Sequence, residues 1–210
     1  MLRLKSQQDL HLTRKIFHFT GVMAMFILLD QFSFTTCLWI YGILGSSILL
    51  LDFGRQYSKP VNRWAVKVFN PVLRKREAFR LSGTTHLVVG CGIIFFLFPT
   101  PIVALAVLFL AVGDPTASLF GLLFGHDKLI GNKSLQGSVA AFLFCSVAAY
   151  FYFQSHGIML DHILVVTFLA GLIGAIAELV PIWGLDDNLT QPVLSAILLS
   201  GLFFLFGGLV

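Results

Sequence analysis

Residues Gly113–Ser138 read GDPTASLFGLLFGHDKLIGNKSLQGS and lie between two strongly apolar runs. The stretch carries Asp114, Lys133 and five glycines where its neighbours carry hydrocarbon side chains. Ionisable groups at the depth of a membrane are costly, and they usually mark function. The stretch therefore predicts the phosphate- and metal-handling centre of an integral membrane enzyme.

The composition is that of a membrane protein. The 210 residues are 57% hydrophobic and only 11% charged, whereas an average globular domain is about 25% charged. A water-soluble domain cannot bury so much apolar surface, so we expect one all-α membrane domain over residues 1–210. The three cysteines lie inside apolar runs without metal-type spacing, which argues against disulfides and zinc.

Seven apolar runs predict seven transmembrane helices, although six or eight would also fit the pattern. The predicted spans cover residues 16–29, 32–51, 84–98, 101–124, 135–153, 162–180 and 192–208. A spanning helix needs about 20 residues, so the shorter runs must extend into their flanks. The pattern thus predicts a polytopic protein with short connections.

The basic residues are confined to alternate predicted loops. Of fourteen Lys and Arg, four precede the first span, eight lie between the second and third, and two lie between the fourth and fifth. The positive-inside rule therefore predicts a cytoplasmic N-terminus and active site and an outside C-terminus. The membrane would be the plasma or inner membrane of a prokaryote, or the endoplasmic reticulum of a eukaryote.

The segment 58–80 is the longest predicted non-spanning piece. Arg63 and Lys67 recur at helical spacing, opposite an apolar face. This pattern predicts a basic amphipathic helix on the membrane surface, broken near Asn70 and Pro71. The alternative is a solvated connector that carries ordinary positive-inside charge.

Asp114 is the ionisable residue of the fourth span. Counted from the start of that span, it lies about 20 Å along the helix, in the cytoplasmic third of the bilayer. Asp114, Ser118, Gly121 and Gly125 share one helix face, which lets a helix or a ligand approach closely. The alternative is a packing stripe whose aspartate is satisfied by a neighbouring helix.

Lys133 stands where the fifth span begins. Asn132 and Ser134 flank it, and Gly137 and Ser138 follow in the first turn. Ser134 is a candidate N-cap, and a helix N-terminus beside a lysine suits an anion. The spacing is not that of a Walker loop. The alternative is a lysine that snorkels to the interface.

Carboxylates gather again at the end of the sixth span. Glu178 lies about 24 Å along that span, near the depth of Asp114, and Asp186, Asp187 and Asn188 follow it closely. Hard oxygen ligands of this kind suit magnesium, which bridges carboxylates to phosphate oxygens. The alternative is that Asp187 or Asn188 only caps the seventh span.

Further charged residues lie on the same predicted side of the membrane. Arg14, Lys15 and His18 open the first span, and Asp52 and Arg55 close the second. We expect them to face the same aqueous boundary as the stretch that begins at residue 113.

Six segments in order resemble one family, the CTP-dependent lipid kinases that include dolichol kinase, phytol kinase and the yeast-type diacylglycerol kinase. This family is itself related to phosphatidate cytidylyltransferase. The segments are RKIFHFTG at 14–21, Asp52-x-x-Arg55, RLSG at 80–83, GDPTAS at 113–118 with Phe124-Gly125, NKSLQGS at 132–138, and Glu178 with DDNLTQP at 186–192.

The resemblance implies that the γ-phosphate of CTP is transferred to the hydroxyl of a lipid alcohol. The lipid would be diacylglycerol, a polyprenol such as dolichol, or phytol, with a preference for the diacylglycerol type. Magnesium would be held by Asp114, Asp187 and Glu178. Instead of binding magnesium, either Asp114 or Asp186 could accept the proton of the alcohol.

The resemblance also assigns roles to individual residues. It implies catalytic roles for Asp114, Lys133, Glu178, Asp186 and Asp187. It implies contacts with the nucleotide and its phosphates for Arg14, Lys15, His18, Asp52, Arg55, Gly113, Thr116, Ser118, Asn132, Ser134, Gly137, Ser138 and Asn188.

Two other functions compete with a lipid kinase. A cytidylyltransferase would make a CDP-lipid and pyrophosphate instead of CDP and a phospholipid. A transporter or non-catalytic membrane partner would be expected to show repeated halves, and the chain shows none. The expected partners are CTP, a lipid alcohol and the bilayer, without nucleic acid. The sequence leaves the oligomeric state open.

Overall fold

A computed structural model describes residues 12–69, 73, 77, 79–182 and 184–207. The described chain is almost entirely helical, in keeping with the predicted all-α membrane protein. Its helices are α1 (Leu12–Gln31), α2 (Phe34–Tyr57), α3 (Lys59–Phe69), α4 (Gly83–Leu97), α5 (Thr100–Phe124), α6 (Leu135–His156), α7 (Ile163–Leu179) and α8 (Asp187–Phe206). A 3₁₀ turn, Leu160–His162, precedes α7.

Helix α5 is the centre of the bundle. Every residue from Ile102 to Ala111 is buried, and this first half of α5 is apolar on all sides, as is typical of a helix at the centre of a bundle. The helix continues through Pro115 to Phe124. Asp114 therefore projects from the most enclosed helix of the described chain.

Small residues bring the helices around α5 into close contact. A methyl group added at Gly137 of α6 would lie 2.6 Å from the carbonyl oxygen of Ala117 on α5. At Gly90 of α4 it would lie 2.8 Å from the carbonyl oxygen of Leu189 on α8. Helices that meet without side chains between their backbones pack closely in membranes. These contacts therefore fix how α4, α5, α6 and α8 are placed.

Helices α1 and α2 make few contacts with each other. They meet near their connection, where the Cys37 thiol lies 3.1 Å from the carbonyl oxygen of Leu28. Tyr41 of α2 stacks on Phe95 of α4 with ring centroids 4.8 Å apart, and its hydroxyl donates to the carbonyl oxygen of Val88. Beyond these contacts, α2 is largely exposed.

Each predicted span falls on an observed helix, with shifted ends. In the described residues, five helical segments are long and apolar enough to cross a membrane: α2, α5, α6, Leu160–Leu179 and α8. Helix α4 is apolar but has only 15 residues. Helix α1 has 20 residues and carries charged residues in its first and last turns. The polytopic class is thus confirmed, while the count of seven spans stays a prediction.

A short β-hairpin between α5 and α6 was not predicted. Its strands are β1 (Lys128–Ile130) and β2 (Lys133–Ser134), paired antiparallel. Gly131 takes a positive φ of 57° at the turn, a conformation that glycine adopts without strain. The hairpin leads directly into the first turn of α6.

The predicted surface segment 58–80 is described only in part. Its first half is the helix α3, on which Ala65 is buried and the side chains of Val61, Trp64 and Val68 are exposed. The predicted break at residues 70 and 71 lies outside the described residues.

Candidate active site at the polar end of a membrane cavity

A cavity of about 610 Å³ runs between α1, α2 and α4 and reaches α5 and α8. Its polar end is lined by residues predicted from the sequence as site residues. They are Arg14, Lys15, His18, Asp52, Arg55, Asp114, Ser118, Asp187 and Asn188. The structure therefore brings together, around one space, residues that are up to 174 positions apart in the chain.

Asp114 enters this space from α5 with 36% of its side chain exposed. Its Oδ2 atom lies 3.7 Å from Nε2 of His18, which is too long for a hydrogen bond. The positive charge of Lys15 on α1 is also close enough to interact with this carboxylate. Asp114 is thus a half-exposed carboxylate that faces basic side chains across the cavity.

The ammonium group of Lys15 lies beside the cavity without a hydrogen bond to the described residues. Its Nζ atom is buried and has no hydrogen-bond partner among the described residues. A buried cation without hydrogen bonds is costly. A site that holds such a cation beside a cavity is suited to an anionic ligand.

Lys133 binds two carboxylates at the edge of the cavity. Its Nζ lies 3.1 Å from Oε1 of Glu178 and 3.1 Å from Oδ2 of Asp187, and it also donates to the carbonyl oxygen of Glu178. Burial lowers the pKa of Lys133, but the charges of Glu178 and Asp187 outweigh burial and raise it above its usual range. Lys133 is therefore a firmly protonated cation.

The chain places these three groups by different means. Lys133 belongs to β2, just before the N-cap Ser134 of α6. Glu178 stands in the last turn of α7 and is buried. Gly174, one turn earlier, presses against the Cys145 side chain of α6. The close contact of α6 and α7 therefore sets the Lys133–Glu178 pair.

Three adjacent residues at the start of α8 serve three elements. The side chain of Asp186 caps α8 by accepting from the backbone N–H of Asn188 at 3.2 Å. Asp187 binds Lys133, and the side chain of Asn188 donates to the carbonyl oxygen of Gly83 at 3.1 Å. The alternative that Asp187 or Asn188 caps this helix is therefore wrong, because Asp186 does so.

Asp52 is held by a dense set of donors. Its Oδ2 accepts from the backbone N–H of Ser82 at 2.8 Å and from the hydroxyl of Thr85. Its Oδ1 accepts from Nε of Arg55 at 2.5 Å. Both oxygens are engaged within the protein, so Asp52 ties the end of α2 to the start of α4.

Arg55 extends the same network. It donates to Oδ1 of Asn62 on α3 at 3.2 Å and to the carbonyl oxygen of Arg80 at 2.7 Å. Only 3% of its side chain is exposed. The pair of Asp52 and Arg55 is thus a brace for the polar end of the cavity, and contact of either residue with phosphate stays a prediction.

Other predicted residues of α5 divide between the cavity and the helix packing. Ser118 lines the cavity. Gly113 lies against Cys145, where an added methyl group would come within 3.2 Å of the sulfur. The Thr116 hydroxyl donates to the carbonyl oxygen of Val112 at 2.6 Å in its own helix. Gly113 and Thr116 therefore serve the packing and conformation of α5.

The start of α6 faces α5 and not the cavity. Ser134 caps the helix, as predicted, by accepting from the N–H of Gly137 at 3.3 Å. Gly137 is pressed against α5, and Ser138 is buried beside it. Asn132 is exposed in the hairpin turn. Phosphate binding by these four residues stays a prediction that none of these contacts supports.

The predicted magnesium ligands are close to one another but are not arranged as a metal site. Within the described ranges, no three His, Cys, Asp or Glu side chains are placed to hold a metal ion. Lys133 occupies the space between Glu178 and Asp187. Magnesium in nucleotide sites needs only one or two carboxylates beside the phosphates, and Asp114 and Asp187 line the cavity. These two residues fit such a shared site.

Among the charged residues that line the cavity, Glu77 was missed in the sequence. Glu77 is buried and lines the cavity, although it falls in the segment that we predicted as a surface helix. It is the only acidic residue between positions 58 and 80. A single acidic residue in a basic segment was the feature of the sequence that could have identified it.

Comparisons with known proteins identify relatives of this chain. No protein-family model matches the chain, and no solved structure matches it significantly. CTP-dependent diacylglycerol kinase 1 of Schizosaccharomyces pombe is 36% identical over 143 residues, which cover 63% of this chain and 66% of that protein, about two thirds of its length.

Two further relatives extend the match. CTP-dependent diacylglycerol kinase 1 of Saccharomyces cerevisiae is 26% identical over 92% of this chain and 73% of its own length. An uncharacterized protein of Rickettsia prowazekii, RP860, is 30% identical over 69% of this chain and 72% of its own length. The similarity to the Saccharomyces cerevisiae protein thus spans most of the chain, and the chain belongs to the family of CTP-dependent lipid kinases.

Proposed function

We propose that the protein transfers the γ-phosphate of CTP to the hydroxyl of a membrane lipid alcohol, with diacylglycerol as the first candidate. The observation that carries the proposal is the polar end of the cavity, where Asp114 faces the buried ammonium of Lys15. An anionic donor and a lipid hydroxyl can meet there at the boundary of hydrocarbon and water. The names of the fungal relatives support the donor and the acceptor.

The reaction requires positioning more than covalent chemistry. The oxygen of the lipid hydroxyl bonds to the γ-phosphorus, and the bond from that phosphorus to the β–γ bridging oxygen breaks. CDP leaves with the electron pair of the broken bond, and the hydroxyl proton passes to a carboxylate. The carboxylate of Asp114 is the better proton acceptor, because the side chain of Asp186 is engaged as the cap of α8.

Basic side chains would hold the phosphates. Arg14 and Lys15 line the cavity from α1, and Lys133 reaches its edge through Asp187. Lys15 offers an ammonium without a hydrogen-bond partner among the described residues. Cations around the transferred group stabilise the charge that spreads over its oxygens in the transition state.

Magnesium would be held by Asp187 together with the nucleotide phosphates, and Asp114 would join Asp187 as a ligand if Asp186 accepted the proton instead. When bound, magnesium neutralises charge on the phosphates and aligns them with the acceptor. Glu178 is the third predicted ligand, but it is buried and paired with Lys133. We therefore assign Glu178 to the positioning of Lys133.

The proposal includes seven membrane spans, with α1 and α4 as the two that are shorter or carry charge. The polar end of the cavity would face the cytoplasm, and α3 would lie on the membrane surface with Trp64 and its apolar neighbours in the lipid. The segregation of Lys and Arg supports this orientation. A maleimide that cannot cross membranes should label a cysteine introduced at Lys128 only from the cytoplasmic side, and one at Asp161 only from the outside.

One assay tests the reaction. The purified protein receives magnesium and CTP labelled in its γ-phosphate, with diacylglycerol, a polyprenol and phytol offered in parallel. We expect label in phosphatidate and release of CDP. Pyrophosphate with a CDP-lipid would identify a cytidylyltransferase, and label taken only from ATP would overturn the choice of donor.

A further inference from the structure

The cavity has two chemically different parts. Beyond its polar end it is lined by apolar side chains, among them Met25 and Leu29 of α1, Ile40 and Cys37 of α2, and Phe95 of α4. In this apolar part of the cavity, none of the described lining residues is charged. A cavity with one polar end and a long apolar part fits an amphiphile.

The length of the cavity can be measured along two of its walls, from the polar end to the far end. Lys15 and Leu29 are separated by about 21 Å along α1, and Asp52 and Cys37 by about 22 Å along α2. One leaflet of a bilayer has a hydrocarbon depth of about 15 Å. The cavity is thus long enough for a hydrocarbon chain that enters at the polar end.

Contacts between helices lie at the far end of the cavity. The Cys37 thiol and the carbonyl oxygen of Leu28 join α1 and α2 there. Tyr41 and Phe95 form a stacked pair between α2 and α4, and Phe34 stacks on Phe95 at 5.8 Å. The cavity therefore ends at an aromatic wall that can limit the length of its occupant.

We propose that the apolar part of this cavity holds one hydrocarbon chain of the lipid alcohol, with the hydroxyl beside Asp114 and the chain running between α1, α2 and α4 toward Phe95. The proposal rests on the lipid kinase function proposed above. It implies that the length of the cavity determines which hydrocarbon chain lengths the enzyme accepts. Its volume of about 610 Å³ is typical of a site for one small hydrophobic ligand.

Two open glycines offer a matched pair of variants. Gly21 of α1 lines the cavity about 9 Å from Lys15, and Gly42 of α2 lies outside the cavity lining. A Cβ atom added at either position meets no atom within 4 Å, and both glycines lie inside helices, where other residues fold at least as well. Gly21→Phe would therefore fill the cavity, and Gly42→Phe would only add a lipid-facing ring.

The experiment measures kcat/KM for dioctanoylglycerol and dioleoylglycerol in mixed micelles. We expect Gly21→Phe to lower the ratio of long-chain to short-chain kcat/KM by about 10-fold or more. In an apolar pocket, room for even one methylene group changes kcat/KM by about this factor. Gly42→Phe should keep the parent ratio. Ala24→Phe, further from the polar end, should give a smaller shift in the same direction.

The outcomes separate this proposal from the proposed function. If the parent protein labels no lipid, the kinase function fails. If the parent is active and both cavity variants keep its chain-length ratio, the chain site is overturned while the kinase stands. If Gly21→Phe loses activity toward both lipids, Ala24→Phe decides, because it leaves more of the cavity open to a short chain.

Discussion

The two sides of the cavity are built differently. Helix α5, on the inner side, has 67% of its most apolar stretch buried in protein, whereas α2, on the outer side, has 11%. The inner side carries Asp114 and, through its neighbours, Lys133 and Glu178, and the outer side carries mostly hydrocarbon. Reacting groups must be held to within fractions of an ångström, and a lipid chain needs only an apolar wall. Changes to the inner side should therefore affect rate or folding, and changes to the outer side should affect substrate choice.

The largest effect should come from the inner carboxylate. We expect Asp114→Asn to lower kcat by about 100-fold or more, because the amide can neither accept the hydroxyl proton nor bind magnesium with a full charge. The measurement is transfer of label from CTP to diacylglycerol.

Asp161→Asn is the matched control for this change. Asp161 is exposed in the turn before α7, so its loss of charge should leave the rate unchanged. Parent-like activity of Asp114→Asn in folded protein would contradict the assignment of the site.

Removal of Lys133 should cost both stability and activity. Lys133→Met leaves the buried carboxylate of Glu178 without its cation, and breaking a fully buried pair costs about 3–5 kcal/mol. Because Asp187 and Lys133 are partly exposed, we expect about 2–3 kcal/mol of lost unfolding free energy. Thermal unfolding in detergent measures the loss as a lower Tm.

A double variant distinguishes the two roles of Lys133. Lys133→Met with Glu178→Gln removes the uncompensated charge, so the Tm should recover most of its loss. The activity should stay low, because the cation at the edge of the cavity is still missing. Recovery of both properties would show that Lys133 acts only in folding.

A glycine contact tests the packing around the inner side. Gly90→Val places a side chain against the backbone of α8 at Leu189, where even a methyl group would lie 2.8 Å from an oxygen. Overpacking lowers the unfolding free energy by about 1–3 kcal/mol. The cost should lie at the upper end of this range, because a helix backbone cannot move aside as a side chain can. Gly42→Val, the same change on α2 in open space, should leave the Tm unchanged. Equal Tm values for the two variants would contradict the claim that the inner side is packed more tightly than the outer side.

The smallest effect should come from the hydroxyl of Tyr41. Tyr41→Phe removes the hydrogen bond to the carbonyl oxygen of Val88 but keeps the ring that stacks on Phe95. We expect about 1 kcal/mol of lost stability and an unchanged kcat. A large loss of activity would mean that the outer side also positions the reaction.

Much of the helical layout could be predicted because long apolar runs carry a strong signal. The start of α8 was placed at 192, but the helix begins at Asp187 because Asp186 caps it. The hairpin at 128–134 was missed because strands of three and two residues have no periodicity to detect. Element types were thus more predictable than their ends.

The sequence predicted which residues belong to the site better than it predicted which of them contact each other. Depth along the spans placed Asp114 and Glu178 near each other, and their charges do interact in the structure. That Lys133 pairs with Glu178 and Asp187 depends on the relative rotation of three helices, which no local pattern records. The cavity itself arises where α1 and α2 fail to pack against each other, and poor packing leaves no motif in a sequence.

The start of α8 has a consequence for how this protein can change. Successive residues of a helix point about 100° apart, so Asp186, Asp187 and Asn188 reach a helix end, a lysine and a carbonyl on three different elements. A single residue inserted or deleted just before this triplet would turn Asp187 away from Lys133 and Asn188 away from Gly83 together, whereas the local cap by Asp186 would move with the helix. A substitution removes one of these contacts at a time, whereas a change of length removes both contacts to other elements, so the spacing of this triplet should be constrained more tightly than any one of its residues.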